Sequence, residues 1–251
     1  MISKNQIKYI RQLEIKKYRR REGLFVAEGP KVVGDLLRKF SAKAIYATNE
    51  WQPSSELKLP NIEYISDEEL CRISFLQHPQ QVLALFPLPK TEESPISYFQ
   101  ERKLSLALDG IQDPGNLGTI IRIADWFGID TIYCSEDTAD VYNPKVVQAT
   151  MGSLARVNVI YISLDNLFDN LPYDIPVYGT LLDGDDIYQQ SLSDKGVVVM
   201  GNEGNGISPS IRKRINHKLL IPSFRDGDSA ESLNVAVATA ITCSEFRRRH
   251  L

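Results

Sequence analysis

Two short stretches, "LSLALDG" at 104–110 and "GVVVMG" at 196–201, constrain this chain more than any bulk property. Each is an apolar run without polar alternation that stops at glycine. A strand of that kind has both faces buried, which is the condition of a strand inside a parallel sheet covered by helices on both sides. The surrounding sequence supplies the alternation such a sheet needs. "TIYCS", "VNVIYI", "PVYGTLL" and "HKLLIP" read as further strands, and "NLGTIIRIADWFGI", "NPKVVQATMGS", "SPSIRKRI" and "SLNVAVATAITCSEFRRR" read as helices. In the first of these helices Ile120, Ile121, Ala124 and Phe127 form the core side and Gly128 stands near the end.

An independent alternation precedes this one. "LFVAEG", "AKAIYAT", "IEYIS" and "QQVLALFPL" predict strands, with "PKVVGDLLRKF" and "DEELCRI" as helices. The opening "ISKNQIKYIRQLEIKKYRRREG" predicts one helix, with Ser3 as N-cap and Gly23 as its stop. Between the two alternations, Pro87 to Lys103 is polar, holds three prolines and lacks apolar periodicity. The expected organisation is an α/β domain at 1–88, a linker at 89–103 and a second α/β domain at 104–251.

A hydrophobic content of 43% supports real cores and excludes a disordered chain. No run of about 18 apolar residues crosses a membrane, and the charged N-terminus is unlike a signal peptide. Cys71, Cys134 and Cys243 are far apart, as are His78, His217 and His250, so no metal-ligand spacing arises. The expectation is reduced thiols in a cytoplasmic protein without a metal. The formal charge of −3 hides a polarity. Residues 1–39 hold eleven Lys or Arg against four acids, a balance of +7, whereas 165–194 hold seven Asp and no cation. A basic segment on an acidic whole fits either a polyanion partner or a solvated helix face.

Three strand ends carry unusual residues. In "LALDGIQDPGNLGTIIRIA", Asn116 stands where a helix N-cap is expected and Arg122 lies on the helix behind it. In "GVVVMGNEGNGI" the glycines at 201, 204 and 206 fall in the order G-x-x-G-x-G, which is neither a dinucleotide fingerprint nor a P-loop. What remains is a loop that lets a ligand touch main chain closely. In "LLIPSFRDGDSAESLNVAVATAI", Ser232, Leu233 and Asn234 open a helix that then runs apolar, which predicts buried side chains needing partners, or Ser232 as a plain N-cap.

In order and spacing, "NLGTIIRIADWFGI", "GNEGNGIS" and "IPSFRDGDSAESLNVAVA" resemble the three motifs of the SpoU (TrmH-like) RNA ribose methyltransferases of the SPOUT superfamily, over about 104–249. "FVAEGPKVVGDLL" and "QQVLALF" are similar to that family's L30e-like substrate-binding domain. The resemblance implies a C-terminal SPOUT parallel-sheet domain with a deep trefoil knot, a rare exception to ordinary threading. It implies S-adenosylmethionine as methyl donor, walled by Thr180, Gly201, Asn202, Gly204, Ile221 and Leu233. It implies Asn116, Arg122, Glu203, Ser232 and Asn234 as the catalytic set. An arginine is always protonated, so Arg122 is expected to clamp a phosphate beside the target ribose rather than to take the proton. Asn116 would position the ribose or Arg122. Glu203, Ser232 and Asn234 would order the site. The nine residues between Pro222 and Ser232 make a longer loop than is usual in the family.

The resemblance further implies a homodimer acting on RNA. Ribosomal and transfer RNA substrates both occur in the family, and the separate N-terminal domain with its basic opening favours 23S ribosomal RNA, with transfer RNA as the alternative. An RNA-binding protein that kept the fold and lost activity is the rival from another class. Retention of all five catalytic-set residues speaks against it.

Overall fold

A computed structural model describes residues 1–57, 59–89, 103–225 and 232–249. They form two compact units, Met1–Thr91 with Asp140–Ala155, and Glu92–Ala139 with Arg156–Leu251. Most of the expected linker at 89–103, and residues 226–231 of the long loop, lie outside the described residues.

The first unit contains α1 (Lys4–Arg11), α2 (Lys16–Glu22), β1 (Leu24–Glu28), α3 (Pro30–Leu37), β2 (Ala44–Ala47), β3 (Ile62–Tyr64), α4 (Asp67–Ile73) and β4 (Val82–Pro87). Its sheet has the order β1-β4-β2-β3. β4 runs antiparallel to β1 and β2, and β2 is parallel to β3. Ser3 caps α1 in a full capping box with Gln6, an arrangement worth about 1 kcal/mol. The single opening helix expected from the sequence is broken. A 3₁₀ turn at Gln12–Glu14 and an extended Ile15 separate α1 from α2. The carbonyls of Leu13 and Glu14 at the break accept from Arg19 Nη1 at 2.8 and 2.6 Å, so the break leaves few orphan acceptors. α2 ends as expected at Gly23, whose φ is 64°.

The second unit contains β5 (Leu104–Asp109), α5 (Pro114–Trp126), β6 (Thr131–Cys134), β7 (Asn158–Tyr161), α7 (Leu164–Asp169), β8 (Val177–Asp186), β9 (Gly196–Gly201), α8 (Pro209–Arg212), β10 (His217–Leu220) and α9 (Val235–Arg248). Its six strands are all parallel, in the order β10-β8-β9-β5-β6-β7. The two apolar strands, β5 and β9, are paired side by side at its centre. Val197, Val199, Ala107 and Val177 pack with Leu164, Leu167, Phe168 and Ile211, while α5 packs against α9. Helix α7 is not among the expected helices, and two aspartates lie in it. Its Leu164, Leu167 and Phe168 nevertheless share one buried face. β8 runs on to Asp186 beyond the expected strand, and its pairing with β10 jumps from Gly179 opposite Lys218 to Asp185 opposite Leu219. Gly184 permits that jump, since a methyl group there would lie 2.6 Å from the Leu219 carbonyl carbon.

One segment departs from the expected boundaries. Helix α6 (Pro144–Ala149) falls in the expected 104–251 domain, yet Asp140–Ala155 groups with the first unit. The reason is local. Arg19 is only 2% exposed and pairs with Asp140 Oδ2 at 2.5 Å, which a buried guanidinium requires. The Tyr142 ring lies 4.9 Å from that of Phe25. Burial, and then the Asp140 charge, push the Tyr142 hydroxyl up to about 12.

Candidate active site

The site is built where β5 and β9 end. β5 closes on Asp109, and the chain turns through Gly110 and Ile111 to Asp113, which caps α5 by accepting from the Asn116 N–H at 2.7 Å. Asn116 is therefore not the N-cap expected from the sequence. Asp113 takes that role with Pro114 at the first helical position, and the Asn116 side chain is released for other work. It donates from Nδ2 to Glu203 Oε1 at 2.9 Å and accepts at Oδ1 from Asn234 Nδ2, also at 2.9 Å. Asn234 is itself the N-cap of α9, its Oδ1 accepting from the N–H groups of Ala236 and Val237. Backbone donors fix one end of this chain of bonds and a carboxylate fixes the other. Every amide orientation between them is thereby determined.

The glycine loop after β9 folds mainly on itself. The backbones of Asn202 and Gly206 exchange two hydrogen bonds of 2.9 Å. Asn202 Oδ1 accepts from the Gly204 and Asn205 N–H groups, and Asn202 Nδ2 donates to the Gly110 carbonyl at 2.6 Å. A side chain on Gly201 would overlap the backbone of Gly206 and Ile207. The bareness of Gly201 is thus required by the chain's own return path. Gly204 differs: a methyl there would meet only Asn202 Oδ1, at 3.6 Å.

Other expected site residues are distributed unevenly. Thr180 follows the last β8–β9 pair, Gly179 with Val199, and its hydroxyl lies 3.6 Å from Met200 Sδ. Ile221 is half-buried just past β10 and Leu233 is 50% exposed just before α9. Ser232 and Asn234 are exposed, not buried as the apolar helix predicted, because α9 starts only at Val235. Ser232 is not part of the Asn234–Asn116–Glu203 chain of bonds. Arg122 also stands apart from it. It lies on the exposed stripe of α5 with Gly115, Thr119 and Trp126, six residues and roughly 9 Å of helix beyond Asn116. Sequence reasoning gave no role to Asp109, whose Oδ2 accepts from the Ser208 N–H at 2.7 Å, or to Ser135, whose Oγ accepts from the Gly110 N–H at 2.8 Å. An aspartate closing a buried strand that is apolar but for Ser105 was the available signal for the first.

Ile221 and Leu233 expose apolar surface and the main chain of Gly204 is unobstructed. Among the described residues no group of three or more His, Cys, Asp or Glu could hold a metal ion, and no helix is long and apolar enough to cross a membrane. The cysteines are free. Burial pushes the Cys134 thiol up, and that of Cys243 to about 12.

The glycine loop and the amide–carboxylate chain thus lie at the carboxyl ends of a parallel α/β sheet, the edge at which proteins of this class bind their ligands. Residues 103–244 match the SpoU rRNA Methylase family, and residues 4–84 match the MRM3-like substrate binding domain. The chain belongs to the SpoU rRNA methylase family. It is 32% identical to the 23S rRNA (guanosine(2553)-2'-O)-methyltransferase RlmP of Bacillus subtilis, over 98% of this chain and 97% of that one. Among solved structures it is similar to a TrmH-family protein from Porphyromonas gingivalis, with 42% identity, a TM-score of 0.88 and 99% of each chain covered. It is also similar to an AdoMet-bound rRNA methyltransferase from Sinorhizobium meliloti, with 30% identity, a TM-score of 0.84, and 100% of this chain and 98% of that one covered.

Proposed function

We propose that this protein methylates a ribose 2'-hydroxyl of 23S ribosomal RNA. The observation that carries the reading is the chain of bonds from Asn234 through Asn116 to Glu203, which joins all three strand-end segments at one place. S-adenosylmethionine, when bound, supplies the methyl group. Thr180, Gly204, Ile221 and Leu233 would hold it. Gly201 and Asn202 shape the loop that does so, since the hydrogen-bonding groups of Asn202 are already used within the chain.

The remaining residues act by placement. Arg122, exposed and cationic on α5, clamps an RNA phosphate so that the neighbouring 2'-hydroxyl is aimed into the site, with the phosphate helping to take its proton. Asn116 has one side-chain N–H beyond its bond to Glu203 with which to orient the ribose. Ser232 lies beside the Asn234 cap and offers a further hydroxyl. The substrate RNA meets the basic first unit, where ten of the eleven Lys and Arg of residues 1–39 are exposed and only Arg19 is buried. The name carried by the Bacillus relative supports ribosomal RNA over transfer RNA.

A trefoil knot, a homodimer and a cytoplasmic location belong to the same reading. The exposed Trp126, Leu233 and Val237 on α5 and at the start of α9 support the dimer. Arg122→Ala tests the chemistry. It should lower methyl transfer by about a hundredfold with cofactor binding intact, and a near wild-type rate would contradict the clamp.

A further inference from the structure

The glycine loop closes on itself through Asn202 and Gly206, but those bonds do not place it relative to its neighbours. Its placement comes from β5. Ser208 N–H donates to Asp109 Oδ2 at 2.7 Å, and Asn202 Nδ2 donates to the Gly110 carbonyl at 2.6 Å. Gly110 is in turn held from its other side, its N–H donating to Ser135 Oγ at 2.8 Å. Ser135 Oγ donates to Asp137 Oδ1 at 2.5 Å and lies 3.0 Å from Thr138 Oγ1, and the Thr138 hydroxyl reaches the Leu108 carbonyl at 3.2 Å. Gly110 has φ +72°, and a methyl there would lie 3.1 Å from Asp137 Oδ2 and 3.7 Å from Asn202 Cβ. The end of β5 is therefore gripped by the end of β6 on one side and by the glycine loop on the other.

We infer that Asp109 and Ser135 are positioning residues of the cofactor site. Neither is part of the bond chain through Asn116, Glu203 and Asn234. Together they fix the offset between the turn that carries Asn116 and the loop that carries Glu203. A loop with glycines at 201, 204 and 206 has much conformational freedom to lose. Asp109 holds it directly through Ser208 and Ser135 holds it through Gly110, so it is ordered before a ligand arrives and binding does not bear that cost. The Asp109 bond is charge-assisted and is the stronger of the two anchors. The inference rests on the reading of this loop as a cofactor wall.

Amide hydrogen exchange, followed by NMR on the full-length protein without ligand, tests the placement directly. Asp109→Ala and Ser135→Ala should speed exchange at the amides of Gly204, Asn205, Gly206 and Ser208 by about tenfold or more, leaving β6 and α9 protected. Asp109→Asn keeps a carbonyl acceptor and should restore most of the protection. Calorimetry with S-adenosylmethionine should show weaker binding in Asp109→Ala by a similar factor. In turnover the loss should fall on KM for the cofactor more than on kcat. Unchanged exchange in both alanine variants would overturn the inference, as would a uniform rise across the whole unit. Absence of S-adenosylmethionine binding by the wild-type protein would overturn the cofactor reading instead, and the exchange pattern would still decide whether Asp109 and Ser135 place the loop.

Discussion

Asn116 Nδ2 donates to Glu203 Oε1 at 2.9 Å across 87 residues of sequence. Because Glu203 when ionised can only accept, and Asn234 is oriented by the N–H groups of α9, the donor of Asn116 must face the carboxylate. Asn116→Asp puts an acceptor opposite an acceptor and should lower kcat/KM by about a hundredfold. Adding Glu203→Gln supplies a donor again. A double-mutant cycle in steady-state kinetics should therefore show partial recovery, whereas strictly additive losses would mean that the bond does not matter to catalysis.

Gly201 and Gly204 separate folding from binding. Gly201→Ala should lower both melting temperature and cofactor affinity, since the added methyl overlaps the returning backbone at Gly206 and Ile207. Gly204→Ala should leave the melting temperature within a few degrees and weaken only the cofactor. Calorimetry beside thermal unfolding distinguishes the two, and equal binding by wild type and Gly204→Ala would remove Gly204 from the pocket.

The first unit should not fold from residues 1–89 alone. That fragment lacks Asp140–Ala155, which groups with it, and leaves buried Arg19 without its carboxylate. A cooperative urea transition for the fragment would contradict this. In the full chain Asp140→Ala should cost about 3 kcal/mol, because it strands a buried charge.

Much of this was legible in the sequence, and the failures share a cause. Apolar runs fixed β5 and β9, Ser3 and Gly23 marked helix ends, and the three strand-end motifs pointed to one site. The sequence reading missed what depends on distant partners. Arg19 reads as one more cation of a basic helix, but folding buries it against Asp140 and uses it to stabilise the break at Gln12–Glu14. Asn116 reads as a cap because nothing local shows that Asp113 takes the cap and leaves Asn116 to Glu203. The bareness of Gly201 reads as room for a ligand because the return of Gly206 is not visible in spacing.

Stability should also depend on pH through Glu28. Burial raises its carboxyl above the ordinary glutamate range, against the opposing hydrogen bonds from Ser74 and the Phe75 N–H. A carboxyl with a raised folded pKa holds its proton longer in the folded state than in the unfolded one. It therefore contributes stability below the unfolded value that is lost as pH rises through the folded one. Thermal unfolding from about pH 4 upward should show the wild type losing stability relative to Glu28→Gln as pH rises, since the lowered carboxyls of Glu69, Asp183 and Glu245 contribute equally to both. Parallel profiles would exclude Glu28 as the source.

The most direct test of the proposed chemistry is nucleoside mass spectrometry of unmodified 23S ribosomal RNA after incubation with the protein and S-adenosylmethionine carrying an isotopic methyl label. Transfer to a ribose oxygen should yield one labelled 2'-O-methylnucleoside, formed about a hundredfold more slowly with Arg122→Ala. Label on a base, or on transfer RNA while ribosomal RNA stays unlabelled, would contradict the proposed reaction or its substrate, and no label on either RNA would favour a binding protein that lacks the activity.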